Sequence, residues 1–249
     1  MPAQKINAIL FDLGETLINF GRVNTTLLFY LGAKQSYDFL KNCGQPVGSF
    51  ASYCLRNFIP LRIKHMLSSL TANDFDSLTL LKNINEKKGI RLNEEQWGQL
   101  AWLWYEPLSK LGKTEPDIID SLRALKESGL KLAIVSNTFL HESCLDRHLQ
   151  QAGILDFFQF RFYSYKFDYR KPDQRIFQVA AEKIGERPQN ILFIGDRIDN
   201  DINPALKAGM CSVLIRAYTN VGRRVPEGVF EIDKISELPA IIQKLNNSG

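Results

Sequence analysis

Four short runs of apolar residues recur along the chain, and each run is apolar at consecutive rather than alternating positions. A run without alternation is typical of a strand that is buried on both faces of a parallel sheet. The four runs cover residues 8–11, 132–135, 191–194 and 212–215, and the last of them is apolar after its first residue, Ser212. The pattern therefore predicts at least four central strands.

Stretches with helical character separate these runs after residue 112. They cover residues 117–127, 173–184 and 201–207, and we expect Thr114 to cap the first of them and Pro116 to lie in its opening turn. Strands that alternate with helices at this spacing form a doubly wound sheet with helices on both faces. The fold class expected is α/β, with a Rossmann-like core.

Residues 18–112 interrupt that alternation, because they contain amphipathic helical segments and no apolar strand run. The clearest segment starts at Asn93, a candidate N-cap, and carries Trp97, Leu100, Ala101, Trp104 and Leu108 at three- and four-residue steps. All three tryptophans lie in this region, where helical spacing favours a role in the core. We therefore expect a core made of residues 1–17 and 113–249, interrupted by a helical insertion at 18–112.

Composition excludes several classes of protein. The 249 residues are 45% hydrophobic and 23% charged, which is ordinary for a globular chain. The net charge of +4 is too small to indicate nucleic-acid binding, and no apolar run is long enough for a signal peptide or a membrane span. The four cysteines, Cys43, Cys54, Cys144 and Cys211, lack metal-site spacing, so we expect buried free thiols in a cytoplasmic protein with no membrane partner.

Polar residues follow three of the predicted strands. Asp12 follows the first, Ser136 and Asn137 follow the second, and Asp196 follows the third. Ligands of open α/β sheets bind beyond the carboxyl ends of the strands, so we expect these groups to share one site. Clustered carboxylates suit Mg²⁺, whose preferred ligands are oxygens, and Lys171 adds a positive charge suited to phosphate. An aspartate beside such a cation can act as a covalent nucleophile.

Four segments in this order resemble the motifs of the haloacid dehalogenase-like (HAD) hydrolase superfamily, in the form that carries a helical cap after the first motif. The segments are Phe11-Asp12-Leu13-Gly14-Glu15-Thr16-Leu17, Val135-Ser136-Asn137-Thr138, Lys171-Pro172-Asp173 and Gly195-Asp196-Arg197-Ile198-Asp199-Asn200-Asp201. The resemblance covers nearly the whole core, whereas residues 18–112 match only in position and helical character. It implies hydrolysis of a small-molecule phosphate monoester through an aspartyl-phosphate.

The resemblance also implies roles for individual residues. Asp12 would be the nucleophile, and Lys171 would balance the charge of nucleophile and phosphate. Mg²⁺ would bind Asp12, the carbonyl of Gly14 and Asp196, while Asp201 would bind the metal directly, bind it through water, or pair with Lys171. Ser136 and Asn137 would hold the phosphoryl group of a small anionic substrate. Apart from the resemblance, we expect Asp199 and Asn200 to cap the following helix, and Arg170 and Arg197 to be solvated or ion-paired.

One position departs from the family pattern. Phosphatases of the family usually carry a second aspartate, the general acid and base, two residues after the nucleophile, where this chain has Gly14. General acid–base catalysis contributes about 10²–10⁴-fold, so its loss matters. Glu15, one residue further along, is a candidate to supply the missing carboxylate.

Two other functions stay open. Dehalogenases of the superfamily lack that second aspartate and need no divalent metal, so the acidic cluster at Asp196, Asp199 and Asp201 argues against them. Gly14 also suits a non-catalytic protein that binds a phosphorylated ligand, although such a protein has no need of a complete catalytic set. The substrate itself and the oligomeric state are not specified by the sequence.

Residues 18–112 carry the whole excess of positive charge, with 11 basic and 7 acidic residues against 20 and 20 in the remainder. A basic cap over an acidic site would help to attract anionic substrates. Hinges are expected at residues 18–21 and 108–114. Candidate contacts for the substrate within the cap are Arg22, Arg56, Arg62, Lys64 and His65.

Overall fold

The computed structural model describes residues 5–68, 71 and 73–247. Its centre is a six-stranded parallel sheet in the order β3-β2-β1-β4-β5-β6. The strands are β1 (Ala8–Phe11), β2 (Lys131–Ser136), β3 (Phe160–Tyr163), β4 (Ile191–Gly195), β5 (Cys211–Ile215) and β6 (Phe230–Ile232). All four predicted strands are present, and each boundary lies within one residue of the predicted position.

The two strands that the sequence analysis missed, β3 and β6, lie at the edges of the sheet. They are only four and three residues long, and each contains an internal charged residue, Arg161 in β3 and Glu231 in β6. An edge strand contacts a neighbour on one side only, so its sequence does not need the continuous apolar run of a central strand. This is why the pattern that identified the central strands did not reveal them.

Helices follow the strands as an α/β sheet requires. In the second half of the chain they are α5 (Ile118–Glu127), α6 (Glu142–Gln151), α7 (Gln174–Ile184), α8 (Asn203–Lys207) and α9 (Leu238–Asn247). The expected N-cap at Thr114 is wrong: α5 starts later, after a turn at Pro116, and Asp117 occupies the N-cap position. The predicted helix at 201–207 is split into a π-helical turn at Ile198–Ile202 and the short α8.

Four helices fill the interval between β1 and α5. They are α1 (Thr25–Asn42), α2 (Phe50–Ser68), α3 (Ser77–Glu86) and α4 (Glu94–Ser109). Helix α4 begins as predicted at Asn93, whose side chain accepts from Gln96 N while the Gln96 side chain accepts from Asn93 N. Trp97 and Trp102 are buried in the hydrophobic core, so the interpretation of the tryptophans as packing residues is confirmed for both.

The hydrophobic core lies on both faces of the sheet, and β1 shows why. Ile9 and Phe11 point to one face, in a cluster that continues into α4 through Leu100, whereas Leu10 points to the other face and packs with Phe177 of α7. Every side chain of β1 is fully buried. A strand covered on both faces must be apolar at every position, which is the pattern seen in the sequence.

The connections into and out of the helical segment run side by side. Asn19 N donates to Lys113 O over 2.7 Å, and Lys113 N donates to Asn19 O over 2.9 Å. Gly112 is needed here, because a Cβ at this position would lie 2.8 Å from both His148 Cε1 and Ile18 Cγ2. The chain therefore leaves the sheet and returns to it at one tightly packed point.

None of the described helices is long and apolar enough to cross a membrane. None of the four cysteines, all of them within the described residues, forms a disulfide, and Cys144 is buried. The expectation of burial is wrong for Cys43, Cys54 and Cys211, which are partly exposed because they lie near the ends of elements or on helix surfaces.

Candidate active site

Three neighbouring strands bring their polar ends together. In the sheet β1 lies between β2 and β4, so Asp12 after β1, Ser136 at the end of β2 and Asp196 after β4 meet at one edge. A cavity of about 250 Å³ opens there, and Asp12, Gly14, Ser136, Asn137, Lys171 and Asp201 all line it. Each of these residues is predicted from the sequence to belong to one site, and the fold places them around one cavity.

Lys171 joins two of the acidic side chains. Its Nζ lies 2.6 Å from Asp12 Oδ1 and 2.6 Å from Asp201 Oδ1, and its side chain is only 2% exposed. Burial alone would lower the pKa of Lys171, but Asp12 and Asp201 together raise it above its usual value. The ammonium group is therefore held charged between the two carboxylates.

Asp201 uses both carboxylate oxygens. While Oδ1 accepts from Lys171, Oδ2 accepts from Arg197 N at 2.9 Å, which fixes the start of the π-helical turn. Gly195 makes this position available, since a Cβ on Gly195 would lie 2.6 Å from Cβ, Cγ and Oδ2 of Asp201. Of the arrangements expected for Asp201, pairing with Lys171 is the one present.

Asp196 is held by residues that the sequence analysis missed. Thr219 Oγ1 donates to Asp196 Oδ2, and Asn220 Nδ2 donates over 2.8 Å to the Asp196 backbone carbonyl. Both residues follow β5, the strand beside β4, so the rule that strand ends gather at one edge could have indicated them. They were overlooked because three residues separate Ile215, the last residue of β5, from Thr219.

The acidic residues fit a divalent cation. One carboxylate oxygen from each of Asp12, Asp196 and Asp201 can be chosen so that all three lie within 4.8 Å of one another. Burial, followed by the charges of Asp12 and Asp201, raises the pKa of Asp196 to about 7, and burial raises that of Asp201 to about 6 although Lys171 opposes this shift. Three buried carboxylates beside a single lysine carry excess negative charge, which a hard cation would neutralise.

Ser136 and Asn137 differ in what their side chains do. Ser136 is buried at the wall of the cavity, and within the described residues its hydroxyl makes no hydrogen bond, so it is available to a ligand. The Asn137 amide is engaged instead: Nδ2 donates to Lys171 O at 2.7 Å and Oδ1 accepts from Lys171 N at 2.9 Å. In this arrangement the Asn137 side chain positions Lys171.

Glu15 does not reach the cavity. Its backbone has a positive φ of 58°, and its Oε1 accepts from Phe20 N and Gly21 N at 2.9 and 3.0 Å. Burial raises the pKa of this carboxyl, against the effect of those two hydrogen bonds. The residue thus holds the loop that leaves β1, and the acid–base role expected for it has no geometric support. Gly14 does line the cavity, and a Cβ there would meet no atom within 4 Å.

Comparison with known proteins identifies the family of this site. A model of haloacid dehalogenase-like hydrolases matches residues 6–209, which include Asp12, Ser136, Lys171, Asp196 and Asp201 but not Thr219 and Asn220. The chain belongs to the haloacid dehalogenase-like hydrolases. The expected resemblance, α/β fold and hydrolase class are thereby confirmed.

Individual relatives of this HAD-like hydrolase carry the names of a phosphatase and a nucleotidase. Over 137 residues the chain is 35% identical to a glyceraldehyde 3-phosphate phosphatase of Methanopyrus kandleri, covering 53% of this chain and 58% of that protein. Over 239 residues it is 26% identical to the pyrimidine 5'-nucleotidase YjjG of Escherichia coli. This match covers 95% of this chain and 96% of that protein. A crystal structure of a HAD phosphatase from Thermococcus onnurineus shares the fold, with a TM-score of 0.58, 22% identity and coverage of 95% and 98%.

Arg170 joins the core of this HAD-like hydrolase to its helical segment. Its Nη1 donates to Asp74 Oδ1 and to Ser68 O, each at 2.7 Å, and it lines the cavity beside Lys171. Asp74 also accepts from Ser164 Oγ, which in turn accepts from Thr138 N at 2.8 Å. The expectation that Arg170 is ion-paired is therefore confirmed, and Asp74 and Ser164 are additional residues that no sequence motif indicated.

The remaining polar candidates lie in other places. Asp199 and Asn200 do not cap the next helix: Asp199 pairs with Arg223 at 3.0 Å and Asn200 lines the cavity, because a π-helical turn replaces the expected helix start. Arg197 is exposed and also lines the cavity.

The basic candidates of the helical segment do not line the catalytic cavity within the described part of the chain. The Arg62 guanidinium lies 5.1 Å from the centre of the Phe29 ring, and Lys64 Nζ lies 5.5 Å from that of Phe75. Arg56 donates to the Val47 carbonyl at 2.8 Å. These side chains are held by aromatic rings and backbone groups, so a direct contact between them and a substrate would require them to move.

Proposed function

We propose that this HAD-like hydrolase is a Mg²⁺-dependent phosphatase that hydrolyses a small-molecule phosphate monoester through an aspartyl-phosphate on Asp12. The observation that carries the proposal is the cluster of Asp12, Asp196 and Asp201. Within it Lys171 pairs with Asp12 and Asp201, and the residues of these two pairs line one cavity. The phosphatase names of the curated relatives support the same reaction class.

The residues of the chain suggest how the reaction would proceed. An Asp12 carboxylate oxygen attacks phosphorus, the bond between phosphorus and the ester oxygen breaks, and the alcohol leaves with a proton from water. Water then attacks phosphorus, which releases phosphate and restores the Asp12 carboxylate. Lys171 stabilises the negative charge, and Ser136 donates to a phosphoryl oxygen.

Asp12, Asp196 and the Gly14 carbonyl would hold Mg²⁺, with Asp201 as a direct ligand, a ligand through water, or a partner of Lys171 as in the structure. When bound, the cation neutralises charge on the phosphate and the nucleophile. Metal-free dehalogenation is a weaker candidate, because it gives no reason to bury three carboxylates together.

We also propose that residues 18–112 act as a cap over this site, with hinges at 18–21 and 108–114. Tyr105 and Leu108 of α4 line the cavity together with the strand-end residues. The backbone pairing of Asn19 with Lys113 joins the two proposed hinges, because each residue lies within one of them. Closure of such a cap would exclude bulk water from the site during phosphoryl transfer.

The test is phosphate release from p-nitrophenyl phosphate, with Mg²⁺ and with EDTA. Activity should require Mg²⁺ and should disappear in Asp12→Asn, whereas the matched control Asp156→Asn, on the surface, should behave as wild type. Release of halide from a 2-haloacid in EDTA would instead identify a dehalogenase. A folded protein with neither activity would favour the non-catalytic alternative.

Gly14 gives a gain-of-function prediction. Because a side chain has open space here, Gly14→Asp should place a carboxylate at the cavity and raise kcat, by up to about 10²-fold for esters with poor leaving groups. Gly14→Asn, which matches the shape but cannot transfer the proton, is the control and should give no gain. Equal rates for the two variants would show that the missing acid does not limit this enzyme.

A further inference from the structure

A second cavity, of about 140 Å³, lies within the helical segment and is called here the apolar pocket. Its wall comes from α1, α2, α3, α4 and the loop after β2. Representative lining residues are Leu28, Phe29, Leu61, Leu81, Ala101 and Phe139. The rings of Phe29 and Phe139 are stacked, with centroids 6.3 Å apart and planes 15° apart. The pocket therefore presents a mostly hydrocarbon and aromatic surface.

The charge around the apolar pocket is also informative. Among the described residues that line it there is no aspartate, glutamate, lysine or arginine. His65 lines the pocket, and its buried Nδ1 has no hydrogen-bond partner in the described part of the chain. Burial lowers the pKa of this imidazole, which keeps it neutral. The mostly apolar lining, with no charged side chain among these residues, suits an uncharged group.

The apolar pocket adjoins the catalytic cavity. Three side chains line both spaces: Tyr105 and Leu108 of α4, and Leu140 of the loop after β2. Tyr105 is fixed in this position by a 2.7 Å hydrogen bond between its hydroxyl and His148 Nδ1. A molecule with its phosphate at Asp12 would need only to pass these side chains to enter the pocket.

We propose that the apolar pocket binds an uncharged aromatic ring in the organic part of the substrate, so that the enzyme prefers aryl-bearing phosphate esters to small aliphatic ones. The inference rests on the proposed phosphatase function. The volume of the pocket is close to that of an apolar protein cavity of about 150 Å³ that accepts a benzene molecule. A ring in this pocket would contact apolar side chains of its lining, among them Leu28, Leu61 and Leu81.

The experiment compares kcat/KM for benzyl and 2-phenylethyl phosphates with kcat/KM for ethyl phosphate, all with Mg²⁺. The ratio of the better aryl ester to ethyl phosphate should be at least about 10, as expected for added apolar contacts in a pocket. If the better aryl ester and ethyl phosphate were both clearly hydrolysed with a ratio near 1, the inference would be overturned and the proposed function would stay intact. Hydrolysis of none of these esters, nor of p-nitrophenyl phosphate, would contradict the proposed function itself.

Variants locate the preference in the apolar pocket. Ala101→Leu fills it from α4 and should bring the ratio towards 1. Gly98→Leu adds a larger side chain to the same helix, where a Cβ would meet no atom within 4 Å, and should keep the ratio. Phe29→Leu, which removes one aromatic wall, is the second test if Ala101→Leu proves unfolded, and it should also lower the ratio. A ratio that persists in a folded Ala101→Leu or in Phe29→Leu would overturn the assignment.

Discussion

Arg170 and Lys171 are adjacent in the sequence, yet their side chains join different parts of the molecule. Lys171 points into the core, where it contacts Asp12 and Asp201. Arg170 points to the helical segment, where it contacts Asp74 and the Ser68 carbonyl. The first set of contacts lies at the candidate active site, and the second joins the loop to the helical segment. One short loop therefore contacts both parts of the molecule.

The largest expected difference comes from removing each cation in turn. Lys171→Met should lower kcat by at least about 10²-fold, because the charge that stabilises the phosphoryl group and the nucleophile is lost. Arg170→Met should have a much smaller effect on kcat. Steady-state kinetics with p-nitrophenyl phosphate measure both. Equal losses of kcat in the two variants would mean that the contacts of Lys171 and the contacts of Arg170 do not have separate roles.

A second comparison concerns stability. The Asp74 side chain is 2% exposed, so Asp74→Asn leaves Arg170 without its buried counter-charge and should lower the free energy of unfolding by about 1–3 kcal/mol. The matched control is Asp120→Asn, whose partner Arg123 lies on the surface, and it should have little effect. Urea denaturation measures both variants. A wild-type midpoint for Asp74→Asn would show that this ion pair does not stabilise the fold.

The smallest effect expected is a dependence of metal binding on pH. Since burial and neighbouring negative charges raise the pKa of Asp196 to about 7, the metal-free protein should lose stability from this group as the pH rises from about 4 to about 7. Mg²⁺ requires the deprotonated carboxylate, so its stabilising effect should increase over the same range. The Mg²⁺-induced change in Tm should be larger at pH 8 than at pH 6.

Asp196→Asn is the control for this effect, because it removes the titrating group together with a proposed ligand. The variant should show little Mg²⁺-induced change in Tm at either pH. If wild type showed the same change in Tm at both pH values, Asp196 would not control metal binding. Arg170→Met, by contrast, should keep the pH dependence of the Mg²⁺-induced change in Tm, since Arg170 contacts Asp74 and Ser68 and not the acidic cluster.

The sequence was most informative for residues that directly follow a central strand, because the strand determines where such a residue lies in the fold. Asp12 and Asp196 directly follow central strands whose apolar runs are unmistakable, so their convergence followed from the topology of a parallel sheet. Asp74 could not be found in this way, because it is 96 residues from Arg170 and lies in no recurring pattern. Glu15 illustrates a different limit: the sequence places it beside the site, but the positive φ at this residue turns its carboxylate towards Phe20 and Gly21.

The paired backbone of Asn19 and Lys113 has a consequence for how the chain could be rebuilt. Two residues that exchange both hydrogen bonds in an antiparallel pair have Cα atoms about 5.5 Å apart, so everything between them forms a loop with almost coincident ends. Such a segment can be exchanged as a cassette, because another segment with equally close ends would leave the register of β1 with β2 and β4 unchanged. Replacing the segment between Asn19 and Lys113 could thus change the substrate preference while the sheet stays the same.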